Sequence, residues 1–301
     1  MSSAKTAARA LTGAALTALR DRFGRRNVNL TPEFMGFGNQ LYLWVWAHAH
    51  RNDPVPPKVT LTKKMRYWAD LVPTFARRYL IERADVSFWD QRNDYWAYPE
   101  REGDPRGFTD TTRAAFIGEA LLPEPLLAGA GTGPLAEDGV LVVNVRRGDY
   151  YSNAGHRAEF GIDVEGYLKA AIAGSIDIDG EIRRLHLISD DIGWCRGLDW
   201  LASYAAQVSF ADPADPPASN LRDVASARRL VITNSTFSIW AAAIADHLHA
   251  NQASVWAPAF FQRRYGPGRC YEYDAHWHFV DVLPGGWQPD WVLAGHETSP
   301  R

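Results

Sequence analysis

The chain has 301 residues, 46% of them hydrophobic and 22% charged, with a formal net charge of -3. That length can bury two cores, and the slightly acidic balance argues against broad nucleic-acid binding, so clustered arginines read as local anion sites. Two cysteines, Cys195 and Cys270, supply no disulfide framework and fit a reducing cytoplasm, and no segment has the apolar length needed to cross a bilayer.

Residues 1–27 carry Lys5, Arg9, Arg20, Arg22, Arg25 and Arg26 against a single acid, Asp21, with Leu11, Ala15, Leu16 and Leu19 spaced along one helical face. Such an extension packs on a domain as an ordinary surface helix, or lies on the anionic inner face of a membrane as a peripheral contact. It lacks a long apolar stretch ahead of a cleavage site, which argues against secretion. A first domain is expected over 28–132. Within it, Arg66 to Phe116 is rich in aromatic, arginine and acidic residues, most densely in FWDQRNDYWAYPE. Aromatic faces flanked by carboxylates suit a sugar, and equally suit a core with aromatic edges. The segment GAGTGPLAEDG from Gly129 to Gly139 interrupts the periodicity and marks the boundary to a second domain over 133–264, followed by a closing segment over 265–301.

The second domain opens on VLVVNVRRGDY, Val140 to Tyr150: a buried strand that ends in Arg146, Arg147, Gly148 and Asp149. Paired guanidinium forks grip phosphate oxygens, so this strand end suits a diphosphate; the alternative is a solvated turn closed by an Arg147–Asp149 salt bridge. A helix is expected over Val164 to Ala173. Leu185 to Ser189 is a second strand, closed by Asp190 and Asp191, with a helical stretch from Ile192 to about Ala206. Val208 to Phe210 reads as a short strand. Leu230 to Thr233 is another, closed by Asn234, Ser235 and Thr236 ahead of an apolar helix from Phe237 to His249, and Ser254 to Ala257 is the last. Strands alternating with helices imply an α/β fold with a parallel sheet, whose ligands sit at the carboxyl strand ends.

All three polar clusters fall at such ends. Ser235 and Thr236 begin a helix, where free N–H groups hold phosphate or the side chains simply cap. Asp190 and Asp191 accept hydrogen bonds from guanine or a ribose, or cap the helix at Ile192. Three clusters on one edge favour a nucleoside-diphosphate pocket over three independent caps.

Metal chemistry has weaker support. Asp177 and Asp179 form an Asp-x-Asp pair, but they are expected on an exposed turn between a helix and a strand rather than at the end of a buried strand. His276 and His278 alternate as in a strand, while His48 and His50 lie in an apolar helix without spaced ligand partners. No metal site is expected.

The strand with RRGDY, the SDDIGWC segment and NSTFSIW resemble the three ordered signatures of the bacterial α-1,2-fucosyltransferases, glycosyltransferase family 11. MGFGNQLYLWVWAHA at Met35 to Ala49 is similar to that family's amino-terminal GNQ segment. FGIDVEGYLKAAI, VWAPAFF and LPGGWQ extend the resemblance, which covers about Val28 to Trp287. It implies a B-type glycosyltransferase fold, with two Rossmann-like domains facing a central cleft and a tail returning across both. It also implies inverting, metal-independent transfer of fucose from GDP-fucose to a hydroxyl of a glycan or glycolipid, O2 of a terminal galactose, without a cofactor.

By the same resemblance Arg146 holds the β-phosphate, with Arg147 supporting the loop or the diphosphate. Ser235, Thr236 and Phe237 line the phosphate end, Asp190 or Asp191 meets the nucleoside, and Asn39 faces the donor sugar from the first domain. Asp149 is the nearest candidate for a general base; its other reading closes the loop against an arginine. Asn144 stands where the family has a histidine that touches the base, and it cannot become cationic. Further departures are Asn220, Ala227, Ile239, Trp240 and Ala241. These keep two alternatives open: transfer from another GDP-sugar, and a degenerate protein that binds glycan or nucleotide without turnover.

Overall fold

The structure, a computed structural model, describes residues 13–20, 22–94, 108–265 and 273–295. The chain divides into two compact units, Met1–Leu126 and Leu127–Arg301. The glycine-rich segment expected to link them belongs to the second unit. The Gly131 N–H donates to Ser226 Oγ at 3.1 Å, and the guanidinium groups of Arg183 and Arg184 donate to the carbonyls of Asp138 and Pro134.

In the first unit, β1 (Asn27–Leu30), β2 (Pro57–Leu61), β3 (Leu80–Glu82) and β4 (Gln91–Asp94) form a parallel sheet in the order β3-β2-β1-β4. The helix Phe37–Ala49 makes the first crossover. It is apolar on all sides and accordingly buried, with Leu41, Leu43, Trp44, Val45 and Ala47 fully enclosed. Trp44 packs on Phe75 at 5.0 Å between ring centroids, and Phe75 meets Phe116 at 5.9 Å. Of the basic amino-terminal extension, residues 13–20 are helical, Leu19 is exposed, and Arg20 Nε donates to the Phe88 carbonyl at 2.8 Å; Lys5, Arg9 and Leu11 lie outside the described residues. Residues 95–100 of the aromatic segment also lie outside them.

The second unit holds β5 (Val140–Val145), β6 (Ile182–Ser189), β7 (Ala205–Phe210), β8 (Arg229–Ile232), β9 (Ser254–Pro258) and β10 (His278–Val280), all parallel, in the order β10-β9-β8-β5-β6-β7. Taken as 3-2-1-4-5-6, this is the strand order of dinucleotide-binding α/β sheets. Every residue of β5 is buried, as a central strand covered on both faces requires. Leu141, Val143, Leu168, Leu185 and Leu187 are fully buried in the core, each contributing about 2 kcal/mol by leaving water. Tyr167, on the helix Val164–Asp179, sends its hydroxyl to the carbonyls of Ile232 at 2.6 Å and Trp256 at 3.1 Å, tying β8 to β9.

Several expected elements differ. The helical stretch from Ile192 to Ala206 is a short helix, Ile192–Arg196, a 3-10 turn, Asp199–Ser203, and then β7, because Ala205 and Gln207 pair with Ile182 and Arg184 and override local helix preference. The helix from Val164 runs on to Asp179 and stops at Gly180, which has φ 81°. Asp177 and Asp179 therefore lie in its last turn and not on a loop. Asp179 accepts from Ser254 Oγ at 2.6 Å and Ser175 Oγ at 3.2 Å, and sits 3.6 Å from Arg229 Nε. His276 precedes β10 and bonds Asp246 at 2.7 Å, while His50 caps the helix that contains His48. The described part of the tail adds β10 to the second sheet and belongs wholly to the second unit. Among the described residues no helix is long and apolar enough to cross a membrane.

Candidate active site

The strand order reverses between β5 and β8, and at such a switch point the loops leaving the carboxyl ends diverge and open a crevice. The loop after β5 is fastened from both sides. The Arg146 N–H donates to Thr233 Oγ1 at 2.7 Å, while the N–H groups of Arg147 and Gly148 donate to Asp190 Oδ1 at 2.8 and 3.1 Å. Gly148 lets the loop pass close to Asp190, since a Cβ at that position would lie 2.6 Å from Asp190 Oδ2 and push the carboxylate aside.

The two arginines have different fates. Arg146 keeps 36% of its side chain exposed, pairing with Asp149 Oδ1 at 2.5 Å and Asp190 Oδ2 at 2.8 Å and lying over the Tyr150 ring. Arg147 is buried; it pairs with Asp191 and lies 4.5 and 4.6 Å from the ring centroids of Tyr151 and Trp194. Its guanidinium braces the loop through a carboxylate and two aromatic faces. The solvated turn closed by Arg147 and Asp149 does not form, because Asp149 turns to Arg146.

Asp191 also caps the helix Ile192–Arg196, accepting the Trp194 N–H at 3.3 Å. Both aspartates after β6 are thus engaged with the arginine loop and the local backbone, an arrangement that accounts for them without a nucleoside. Beneath them Cys195 is enclosed, and burial, opposed by a hydrogen bond with Ser189, pushes its thiol up to about 11.

Asn144, in β5, turns its amide inward: Nδ2 donates to the Ile188 carbonyl at 3.1 Å and Oδ1 accepts from Ser238 Oγ at 2.6 Å. The side chain bolts β5 to β6 and to the helix after β8. In this structure it is a buried bridge, where the resemblance implied a contact with a base.

Ser235 is the N-cap of the helix Thr236–Leu248, and its side chain makes no capping bond. The first intrahelical bond runs from the Ile239 N–H to the Ser235 carbonyl at 2.9 Å. The N–H groups of Thr236, Phe237 and Ser238 precede it and face the end of the helix, where the dipole favours an anion. Asn234 anchors this helix start by donating to the carbonyls of Phe160 and Phe261, both at 2.8 Å.

The structure therefore gathers Arg146, Arg147, Asp149, Asp190, Asp191, Ser235, Thr236 and Phe237 on one sheet edge of the second unit. Asn39 belongs to the first unit, half-buried in the opening turn of the helix Phe37–Ala49. One member of the cluster has no signal in the sequence pattern. His156 Nδ1 lies 3.3 Å from Asp149 Oδ2, on a short helix, Ala154–Phe160, capped by Asn153. The Ser-Asn-Ala-Gly run could have suggested that cap, but nothing suggested its histidine.

A search of curated proteins matches none. Residues 134–254 match the family described as Glycosyl transferase family 11. The matched stretch runs from just before β5 to the start of β9. It contains every clustered residue named above, and the GNQ segment lies outside it.

Proposed function

We propose, from the match of residues 134–254 to glycosyl transferase family 11, that the chain transfers fucose from GDP-fucose to a hydroxyl of a glycan or glycolipid, with inversion and without a metal. The observation that carries this reading is the partly exposed Arg146 guanidinium. Asp149 and Asp190 hold it at the switch point, one strand over from the open N-terminus of the helix Thr236–Leu248.

Breaking the bond between sugar and diphosphate puts negative charge on the leaving phosphate. Arg146 and the N–H groups of Thr236 and Phe237 supply donors where that charge develops, the role a divalent ion plays elsewhere. Arg147 acts through the loop, and Asp149 sets the direction of the Arg146 fork. Asp149 is a poor general base in this reading, since its carboxylate is bound to a cation. The acceptor hydroxyl attacks from the side opposite the diphosphate, brought by the first unit in a two-domain arrangement of the B type, with Asn39 on the donor sugar. O2 of a terminal galactose is the hydroxyl proposed. Residues 1–27 add a peripheral contact with an anionic membrane.

A second reading has one specific observation behind it. The Asn144 amide is committed to Ile188 and Ser238 and so takes no part in donor recognition, which leaves transfer from another GDP-sugar open as the alternative. Calorimetric titration of GDP, GDP-fucose, GDP-mannose and UDP in chelator separates the two. Chelator-resistant GDP binding with GDP-fucose preferred supports the first reading and GDP-mannose preference the second; binding of UDP alone, or only with added metal, overturns both.

A further inference from the structure

The turn that leads into β4 presents side chains that a core would ordinarily take. It spans Ser87 to Asp90 and is closed by the Asp90 N–H on the Ser87 carbonyl at 3.2 Å, while the Asp90 carboxylate accepts the Ser87 N–H at 2.7 Å. Asp90 is fully buried and paired with Arg26 at 2.7 Å. Arginines also hold the carbonyls of this loop: Arg26 Nη2 donates to Asp85 at 2.6 Å, and Arg20 Nε to Phe88 at 2.8 Å. At the tip of the braced turn stand Phe88 and Trp89, 52% and 49% exposed, with ring centroids 5.2 Å apart and edge to face. Turn tips ordinarily carry small or polar residues, so two adjacent large aromatics held rigidly in water are an informative exception.

The amino-terminal helix continues the same face. Arg20 lies over the Phe88 ring at 4.9 Å, which sets the helix beside the turn. Leu19 and Phe23, one helical turn apart, are both exposed large apolar residues. Cations alternate with them: Arg22 and Arg25 are exposed, and Arg22 lies 5.5 Å from the centroid of the Phe23 ring. The acids nearby in sequence are Asp21, which lies outside the described residues, Asp85 and the buried Asp90, so the face is basic although the whole chain carries a net charge of -3. Apolar side chains rimmed by cations narrow the choice of occupant. A second copy would bring the same arginines and be repelled, and sugars are held in concave sites, whereas these rings stand at the tip of a turn. An anionic bilayer accepts both components, the rings among its headgroups and the guanidinium heads on its phosphates.

We propose that the Ser87–Asp90 turn is a membrane anchor: Phe88 and Trp89 enter the headgroup region of an anionic bilayer beside the basic helix, whose Arg20, Arg22 and Arg25 meet lipid phosphates. This inference rests on the peripheral contact proposed above for residues 1–27 and adds to it an anchor from a separate part of the chain. A basic helix with few large apolar residues holds a bilayer weakly, and a second apolar signal strengthens the hold. The turn inserts without a further ordering cost, because Asp90, Arg26 and Arg20 already fix its backbone.

The test is sedimentation of the full chain with vesicles of phosphatidylcholine, alone or mixed with phosphatidylglycerol. The anionic vesicles should bind about tenfold more tightly than the neutral ones, and added salt should weaken them. A variant combining Phe88→Ser and Trp89→Ser should lose about tenfold in affinity for the anionic vesicles, with its circular dichroism and melting temperature unchanged because the tip is exposed. Trp89→Phe should keep the affinity and lose part of the tryptophan quenching caused by brominated lipid. Full affinity in the serine double variant, or quenching that Trp89→Phe leaves unaltered, overturns the proposal. Absence of vesicle binding also overturns it, as does self-association of the free chain that the double variant abolishes, which would assign the tip to a protein partner. A second variant, combining Arg22→Gln and Arg25→Gln, separates the two readings. If it weakens binding while the serine variant does not, the contact of residues 1–27 stands and the turn is no anchor; if only the serine variant weakens binding, the anchor stands and the contact of residues 1–27 falls.

Discussion

The backbone N–H of Arg147 donates to Asp190 Oδ1 at 2.8 Å, so the carboxylate that ends β6 shapes the loop that ends β5. The other oxygen of the same carboxylate holds the Arg146 guanidinium at 2.8 Å. One side chain thus fixes both the path of the loop and the aim of its exposed cation.

Gly148→Ala tests that coupling. The added methyl would meet Asp190 Oδ2 at 2.6 Å, and the carboxylate must swing away from Arg146. GDP affinity should fall by about tenfold, equivalent to about 1.4 kcal/mol, with the circular dichroism spectrum unchanged. Unaltered affinity would separate Asp190 from the anion site.

Arg146 and Arg147 should respond differently to alanine. Arg146→Ala removes a partly exposed donor and should lower the transfer rate by about 10²–10³, with little change in melting temperature. Arg147→Ala leaves Asp191 without its cation and empties the space between Tyr151 and Trp194, destabilising the protein by about 2 kcal/mol. Transfer assays paired with thermal melts read both effects; a stable, active Arg146→Ala protein would remove the proposed mechanism.

A further substitution sets propensity against packing. Gly174 lies within the helix Val164–Asp179, and a Cβ there would fall on the ring of Trp256 in β9. Alanine gains about 1 kcal/mol in helix propensity, while overpacking a core costs about 1–3 kcal/mol. Packing wins, and Gly174→Ala should lower the denaturant midpoint of the protein.

His48 links stability to pH. Burial, the largest cause, pushes its imidazolium below the ordinary value of 6.5, and Arg51 acts in the same direction against the opposing pull of Glu119 at 3.3 Å. The unfolded chain binds this proton more readily than the folded one, so stability is fully present above the ordinary value and is lost as pH falls through the lower folded value. Denaturant melts from pH 7 to pH 5 should show that decline, and His48→Gln should flatten it.

In the second unit β5 to β9 and their order along the chain were legible because buried parallel strands are uninterrupted apolar runs, as in Val140–Val145, whereas none of the short strands of the first unit was. Their polar ends were legible for the same reason: Arg146, Asp190 and Ser235 each interrupt such a run. The pairing of those ends was not. Arg147 meets Asp190 because β6 lies beside β5, and Arg146 meets Thr233 because β8 lies on its other side, neither of which a local pattern encodes. Local preference also misled at Ala205, where a strand pairing replaced a helix, and at Gly129 to Gly139, where side-chain bonds hold a flexible-looking segment to the second unit.

The edge that gathers Arg146, Asp190 and Thr233 is stitched by bonds between residues 43 and 87 positions apart. It therefore comes into being only when β5, β6 and β8 have all docked, and long-range pairings of this kind form slowly. A chain emerging from the ribosome without β8 lacks the Thr233 side of that edge. On refolding, helical signal should return well before nucleotide binding does, and the interval between them times the arrival of β8 beside β5.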